Sequence, residues 1–258
     1  MATTASLPQT TALATSGGSV PRLVTAGAFL AVVGAVAMAC SGTGYRLHVW
    51  GLDVAFRMFA GGAALAALGG LLALVALAVP GIRRRSRVLP IAAVTVVVAA
   101  AAAGTFVSWY LKARSVPGIH DITTDTGDPP SFEALRAARL AAPNGLEYGG
   151  DSVAAQQRAA YPDIVPAVLP IPPADAFRRS LMAAQALGWA IAAADSAAGR
   201  IEATATTAWY GFRDDVVIRI RPEGSGSRID VRSDSRLGGS DVGTNAARIR
   251  RFLARVRA

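Results

Sequence analysis

The sequence contains very little cysteine, histidine or charge. Its 258 residues include one cysteine and two histidines, and only 17% are Asp, Glu, Lys or Arg. One cysteine excludes a framework of disulfides within the chain, and one cysteine with two histidines is too few for an ordinary structural zinc site. A soluble globular domain is about one-quarter charged. The shortage of charge therefore predicts that part of the chain lies in lipid.

Acidic residues are nearly absent from the first 111 positions. That stretch carries seven arginines and one acid, Asp53, whereas residues 112–258 carry 19 basic and 16 acidic side chains. The net charge of +9 is thus concentrated around the apolar part of the chain. Basic residues beside membrane segments set topology. The positive charge therefore does not indicate a nucleic-acid partner.

Three stretches without Asp, Glu, Lys, Arg or His are long enough to cross a lipid bilayer. They span residues 23–45, 58–82 and 88–111, and roughly 20 apolar residues suffice for a transmembrane helix. We expect a cytoplasmic tail at 1–22 and three transmembrane helices within 23–112. Transporters and proton relays usually keep ionisable groups inside their spans. The membrane part is therefore interpreted as an anchor.

The arginines between the second and third spans predict the orientation of the chain. Four of the five residues at 83–87 are arginine, and positively charged short loops stay in the cytoplasm. We expect a multi-pass protein of the bacterial inner (cytoplasmic) membrane, with everything after Lys112 outside the cytoplasm. Lys112 and Arg114 oppose this orientation but are fewer. The first span has two alternatives, a cleaved signal sequence or a segment leading to a lipidated Cys40.

Small residues recur along the second span. Gly62, Ala66 and Gly70 are spaced four apart, and such a stripe lets helix backbones approach closely. Two interpretations stay open here: packing of the three helices within one chain, or a dimer interface. The oligomeric state does not follow from the sequence.

Proline dominates the first part of the extramembrane half. Residues 113–172 hold eight of the 14 prolines, which favours extended, irregular chain. One short helix is expected at 131–140, with Ser131 as its N-cap. Apolar side chains occur throughout, so this segment should pack on the folded domain. They are Ile119, Ile122, Phe132, Leu135, Tyr161, Ile164 and Val168.

Residues 173–258 have regular hydrophobic patterns. A helix should run from Pro173 to the stop at Gly188, and a final helix from about Asn245 to Arg257, with Thr244 as its cap. Between them, four strands are expected near 189–193, 200–207, 216–221 and 228–234, the last two joined by a hairpin at 224–226. Alternation with one apolar face is typical of an antiparallel sheet solvated on the other side. The predicted fold is a three-helix transmembrane anchor followed by an α+β domain, in the order helix, four-stranded antiparallel sheet, helix.

Several separate segments of this half resemble one protein family. They are IHDITTD at 119–125, YGG at 148–150, YPDI at 161–164, RIEATATT at 200–207, GFRDDVVIR at 211–219, RSDSR at 232–236, SDVG at 240–243 and the helix at 245–253. In this order they resemble the domain-of-unknown-function 1499 family over about 117–258. That family, found in bacteria and plants, is uncharacterised, so the resemblance implies no catalytic residues. The order of elements is also similar to helix-grip envelope domains, at the level of fold only.

The polar face of the predicted sheet is the best place for a binding site. It combines arginines at 200, 219, 221, 228 and 232 with acids at 202, 230 and 234. They can form a ladder of surface ion pairs, each contributing about 0.2–1 kcal/mol. Alternatively, Arg219 and Arg232, with Arg236 in a family-like motif, hold an anionic ligand through bidentate hydrogen bonds.

Three further residues carry chemistry of their own. Asp214 and Asp215 are adjacent, so in a strand they point to opposite faces and cannot form a paired-carboxylate site alone. His120, beside Asp121, is either a structural residue or a general base. The aromatic loop at 209–212 either supplies ligand contacts or covers the edge of a core.

Two functions follow from these observations. The favoured one is a noncatalytic extracytoplasmic domain that binds an anionic envelope ligand, such as a lipid phosphate or peptidoglycan carboxylate, or a membrane protein partner. The alternative is an enzyme acting on an envelope substrate through His120 and one of Asp214 and Asp215. No cofactor and no metal are expected. Convergence of His120, Asp214 and the sheet arginines in one pocket would favour the enzyme.

Overall fold

The computed structural model describes residues 20–258, so most of the predicted tail at 1–22 lies outside the described residues. The chain divides into two compact units. One contains residues 20–39 together with Arg57–Thr105, and the other contains Cys40–Phe56 together with Phe106–Ala258.

Within the described residues, four helices precede the sheet. They are α1 (Arg22–Arg46), α2 (Leu52–Ala78), α3 (Pro80–Arg83) and α4 (Val88–Ser115). The three longer helices are long and apolar enough to cross a membrane, so the chain is a membrane protein. Helix α2 begins six residues before the expected span, with Asp53 in its first turn, where a carboxylate complements the helix dipole. It ends at Ala78 because Pro80 supplies no backbone N–H.

Glycines permit close approach of the helices in the first unit. A Cβ at Gly34 would lie 2.4 Å from the Gly62 carbonyl oxygen, and one at Gly69 would lie 2.4 Å from the Gly27 carbonyl oxygen. Gly70 faces α4 instead, since a Cβ there would lie 2.5 Å from the Ala99 Cβ. The small residues of α2 are therefore used in helix packing within one chain.

The second unit is an antiparallel sheet with flanking helices, which confirms the predicted fold class. Its strands are β1 (Asp121–Thr123), β2 (Ala167–Leu169), β3 (Ala190–Asp195), β4 (Arg200–Thr206), β5 (Arg213–Glu223) and β6 (Gly226–Ser235). Its helices are α5 (Arg136–Leu140), α6 (Gly150–Ala160), α7 (Pro173–Ala186) and α8 (Thr244–Arg257). The strand order is β1-β6-β5-β4-β3, and β2 also pairs with β6. The sheet therefore has six strands and not four, because the proline-rich segment contributes β1 and β2.

Helices α7 and α8 enclose the main core against one face of the sheet. The predicted stripe of α8 is confirmed, since Ile249, Phe252, Leu253 and Val256 are all buried there. The Phe252 ring stacks on Trp189 with centroids 5.5 Å apart. The predicted Thr244 cap is wrong. Gly243 holds the cap position, and the Asp241 carboxylate accepts hydrogen bonds from the backbone N–H groups of Gly243 (2.8 Å) and Asn245 (2.6 Å).

The opposite, charged face of the sheet was expected to be exposed to solvent, but another part of the chain covers it. The segment after β1, residues 124–149 and here called the covering segment, crosses it. Its Phe132, Leu135 and Leu146 form a second apolar cluster with Val217 of β5. Burying these apolar side chains favours the covered state. Most of the apolar residues predicted to hold the proline-rich segment in place are indeed buried, although Val168 is 59% exposed.

Two details of this covering segment differ from expectation. The helix expected at 131–140 is only α5, and Ser131 is not its cap. The buried Glu202 carboxylate instead accepts hydrogen bonds from the backbone N–H groups of residues 133, 134 and 135, at 2.7, 3.1 and 2.8 Å. Helix α6 was not predicted because its sequence has no continuous apolar stripe. Its Gln157 side chain bonds both backbone groups of Thr123 and so completes the pairing of β1.

Candidate functional site

The charged face of β6 carries alternating arginines and aspartates, and they belong to two separate networks. Strand β6 places Arg228, Asp230, Arg232 and Asp234 on one face. We call the set around Asp234 the Asp234 network. Its members are His120, Asp121, Arg139, Asp215, Arg232, Asp234 and Arg236.

Arg232 lies at the buried centre of the Asp234 network. Its Nε and Nη2 atoms donate to the two Asp121 carboxylate oxygens at 2.9 and 2.8 Å. Its remaining donors reach the carbonyl oxygens of Pro130 (3.3 Å) and Leu146 (3.2 Å) in the covering segment. The Phe132 ring lies 5.0 Å from the Arg232 guanidinium carbon. Arg232 therefore binds the covering segment to β6 through charge, hydrogen bonds and a cation–π contact.

Arg139 of α5 is fully buried and joins two carboxylates. Its guanidinium donates to the Asp234 side chain and to the Asp234 carbonyl oxygen (3.2 Å), and it lies 3.8 Å from the Asp215 carboxylate. Asp215 in turn accepts two hydrogen bonds from Arg236, both 2.9 Å long. Each buried carboxylate thus has an arginine partner, as buried charges require.

His120 is the more exposed end of the same network. Its Nδ1 atom lies 2.9 Å from an Asp234 carboxylate oxygen, and its side chain is 28% exposed. The hydrogen bond to Asp234 raises the pKa of His120. Burial, together with the charge of Asp234, raises the pKa of Asp121 to about 6 despite the opposing effect of Arg232. Burial likewise raises the pKa of Tyr148, whose ring lies beside Arg232, to about 12.

The second network, here the Asp230 network, lies towards the other end of the same face. The buried Asp230 carboxylate accepts hydrogen bonds from Arg219, Arg221 and Arg228, at 3.1, 2.9 and 2.8 Å. Two aspartates of the covering segment complete the network. Asp125 lies 2.9 Å from Arg228, and Asp128 lies 3.0 Å from both Arg219 and Arg221. Glu223 lies 4.0 Å from Arg228 as well, so every arginine of this network is matched by a carboxylate.

Asp214 lies on the opposite face of β5 from Asp215, as their adjacency in the strand requires. Its carboxylate contacts Arg248 of α8, which also hydrogen-bonds Ser233 (3.0 Å) and Asn245. His120 and the sheet arginines lie on the other side of the sheet. The structure thus brings His120, Asp215, Arg232 and Arg236 into one network, places Arg219 in the second, and leaves Asp214 apart.

Sequence reasoning missed several buried polar residues that hold the charged side chains in place. Arg139, Arg248 and Asn245 lie on helices. Glu202 was expected on the charged face, but its binding to backbone amides was not. The signal for Arg248 was present, since it lies on the buried stripe of α8, beside Ile249 and four residues before Phe252. The burial of Arg139 could not be predicted in this way, because the five residues of α5 are too few to show a helical hydrophobic periodicity.

The chemistry available at this face is limited by internal pairing. An external anion at Arg219 or Arg232 would compete with carboxylates that already hold the guanidinium at 2.8–3.1 Å. Within residues 20–258, no group of three or more His, Cys, Asp and Glu side chains is placed to hold a metal ion. His120 and Asp234 form an acid–base pair with partial solvent access, since the His120 side chain is 28% exposed.

Fold and sequence together define a membrane protein that carries an α+β domain after three helices able to cross the bilayer. Residues 121–256 match the family described as a protein of unknown function, DUF1499. The match covers just over half of the chain, including the whole Asp230 network and every member of the Asp234 network except His120, so this chain belongs to the DUF1499 family. No curated protein and no solved structure matched the chain.

Proposed function

We propose that this protein is a noncatalytic interaction protein anchored in the bacterial inner membrane, with its DUF1499 domain outside the cytoplasm. The observation that carries the proposal is the internal pairing of the chemistry-bearing residues on the charged sheet face. Arg219, Arg232 and Arg236 all hold carboxylates of the same chain. Binding to a partner would then use the outer surface of the domain, while the networks maintain its shape.

The exposed arginines of α8 offer the better surface for an anionic partner. Arg251, Arg255 and Arg257 are exposed, and no carboxylate among residues 20–258 lies within ion-pair distance of them. Arg251 and Arg255 are four residues apart and therefore share one face of the helix. An anionic envelope ligand can be held there without breaking an internal ion pair.

Binding to anionic vesicles tests this surface. Full-length protein in nanodiscs of neutral lipid should bind phosphatidylglycerol vesicles at low salt, and binding should weaken as salt is raised. The double variant Arg251→Gln with Arg255→Gln should lose this binding. Arg219→Gln is the matched control and should retain it. If Arg219→Gln abolished vesicle binding instead, the anion site would lie on the sheet face. If the unaltered protein did not bind the vesicles, a membrane protein would remain as the proposed partner.

The orientation rests on four arginines between α2 and α4. Arg83, Arg84, Arg85 and Arg87 outnumber the two cations that follow the last span, Lys112 and Arg114, and the positive-inside rule places the more basic loop in the cytoplasm. A phosphatase fused after Ala258 should be active in bacterial cells, and a fluorescent protein that folds only in the cytoplasm should stay dark there. The reverse pair of results would refute the extracytoplasmic placement.

An enzyme acting on an envelope substrate is the second candidate, and one contact favours it. The Asp234 carboxylate orients the Nδ1 side of His120 at 2.9 Å, which is the arrangement of a general base held by an acid. Asp214, expected to join this site, lies on the other face, so the proposal reduces to His120 and Asp234. Turnover of a component of envelope extracts, detected by mass spectrometry and abolished by His120→Gln without loss of folding, would establish it.

A further inference from the structure

The loop between β4 and β5 is closed by its own hydrogen bonds. It comprises residues 207–212. The Thr207 backbone N–H donates to the Phe212 carbonyl oxygen at 2.9 Å, and the Phe212 N–H donates to the Thr207 hydroxyl at 2.9 Å. Gly211 has φ +70°, a backbone conformation that glycine adopts without strain. The loop therefore presents Trp209, Tyr210 and Phe212 in a defined arrangement.

This loop packs against the end of α1. The Tyr210 hydroxyl lies 3.1 Å from the Ser41 hydroxyl, and the Arg46 guanidinium donates to the Ala208 carbonyl oxygen. A Cβ at Gly42 would lie 2.7 Å from the Tyr210 ring and 2.8 Å from the Trp209 ring. Glycine at position 42 is therefore required for the rings to approach the helix.

Aromatic side chains from four elements continue the contact. Phe212 lies 5.3 Å from Tyr210 and 5.6 Å from Tyr45 of α1, measured between ring centroids. Phe56 of α2 lies 5.8 Å from Tyr210 and 6.4 Å from Trp109 of α4. The loop thus joins an aromatic cluster formed by the end of α1, the start of α2 and the last third of α4.

The charged residues beside this cluster indicate its level in the membrane. Arg46 ends α1, Arg57 follows Phe56 in α2, and Lys112 and Arg114 lie in the last turn of α4. Such cations extend to the lipid headgroups at the ends of transmembrane helices, and Trp and Tyr are enriched at the same level. The aromatic cluster therefore has the composition of a membrane–water interface.

Large apolar side chains next to the cluster remain exposed. Leu47 and Val49 of the α1–α2 loop are 67% and 65% exposed, and Trp209 is 38% exposed. Large apolar side chains left exposed beside a packed aromatic cluster indicate a contact with an apolar partner. Because they adjoin the ends of membrane-crossing helices, the partner that fits them is the lipid bilayer itself.

We propose that the β4–β5 loop rests in the lipid headgroup region, with the Trp209 indole, Leu47 and Val49 in contact with lipid. The DUF1499 domain then binds the membrane directly through its own loop, besides being tethered to it through α4. This contact is independent of the arginine surface on α8 and of any ligand.

Quenching of tryptophan fluorescence by brominated lipid tests the contact. Full-length protein is placed in nanodiscs whose lipids carry bromine near the headgroup end of the acyl chain. The emission of each tryptophan is obtained as the difference between the unaltered protein and the variant that lacks it. The emission of Trp209, obtained with Trp209→Phe, should be quenched by bromine to the same degree as that of Trp109, obtained with Trp109→Phe. Trp189→Phe is the control, because Trp189 stacks on Phe252 in the domain core and its emission should not be quenched.

Emission from Trp209 that behaves like that from Trp189, unchanged by brominated lipid, would overturn the proposal. A second reporter covers the case in which Trp209→Phe disturbs the cluster. Val49→Trp adds an indole to the exposed α1–α2 loop without removing a buried group, and a new quenched component should appear. A new component quenched only by iodide in the water phase would equally refute the lipid contact.

Discussion

Replacing Arg232 by glutamine should destabilise the domain far more than the same change at Arg219. Arg232 is 3% exposed and binds Asp121 through two hydrogen bonds, so its removal leaves a buried carboxylate without its partner. Removing one member of a buried ion pair costs about 3–5 kcal/mol. Two backbone carbonyls of the covering segment would also lose their donor. We therefore expect a loss near 4 kcal/mol, on the order of the whole stability of a marginal domain.

Arg219 is the matched control because it carries the same charge on the same sheet face. It is half-buried, and its main partner Asp230 keeps hydrogen bonds from Arg221 and Arg228. Arg219→Gln should cost about 1 kcal/mol, near the upper end for exposed pairs. The double variant Arg232→Met with Asp121→Leu should recover part of the loss, because apolar replacement of a whole buried pair is often neutral.

The assay is urea unfolding of the full-length protein in nanodiscs, followed by near-ultraviolet circular dichroism. The unfolding midpoint should move while the slope with urea stays unchanged, which identifies a change in stability alone. Equal losses of about 1 kcal/mol or less for Arg232→Gln and Arg219→Gln would refute the reasoning, since both arginines would then behave as members of a surface ladder.

Three further predictions concern the core, the helix hairpin and pH. Phe252→Ala should cost roughly 3–5 kcal/mol in the same unfolding assay, because Phe252 is fully buried; a cost below 1 kcal/mol would contradict its place in the core. Gly34→Val should lower the thermal stability of the helical part, whereas Gly61→Val, which meets nothing within 4 Å, should not; equal effects would argue against close packing of α1 on α2. Since Asp234 raises the pKa of His120 above its ordinary 6.5, the stabilisation is fully present below pH 6.5 and is lost as pH rises through the folded pKa. The melting temperature should fall as pH rises above about 7, where Asp121, with its pKa of about 6, is already mostly ionised. His120→Gln should remove the slope in that range; a variant with the slope intact would assign it to another group.

The fold was predictable wherever one apolar face repeated over several residues. The buried stripe of α8 and the alternation in β4 to β6 followed from periodicity alone. Strands β1 and β2 are three residues long, too short for an alternation to be recognised. Helix α6 is held by Gln157 bonding the backbone of Thr123, a contact that no hydrophobic pattern encodes. These elements depend on tertiary pairing with β6 and β1.

The charged face shows why the site could be predicted only in part. Alternation in β6 correctly placed Arg228, Asp230, Arg232 and Asp234 on one face. The same alternation occurs whether that face contacts solvent or another segment of the chain, so it does not show what covers the face. What covers the face is the chain near Phe132 and Leu135, about 100 residues earlier in the sequence. The ion pairs were therefore expected at the surface, with the corresponding small energies, and several are buried.

Buried ion pairs seldom stabilise a fold more than apolar residues of similar volume would, so their use here suggests a role in register. A strand shifted by one residue exchanges its two faces. In β6 such a shift would place Asp230, Arg232 and Asp234 in the apolar core under α7 and α8, without their partners, and would expose Ile229 and Val231 to the covering segment. The cost of unpaired buried charge makes this one-residue shift unfavourable. The networks thus define a single position for the covering segment on the sheet, and any partner of this domain meets a surface whose shape they fix.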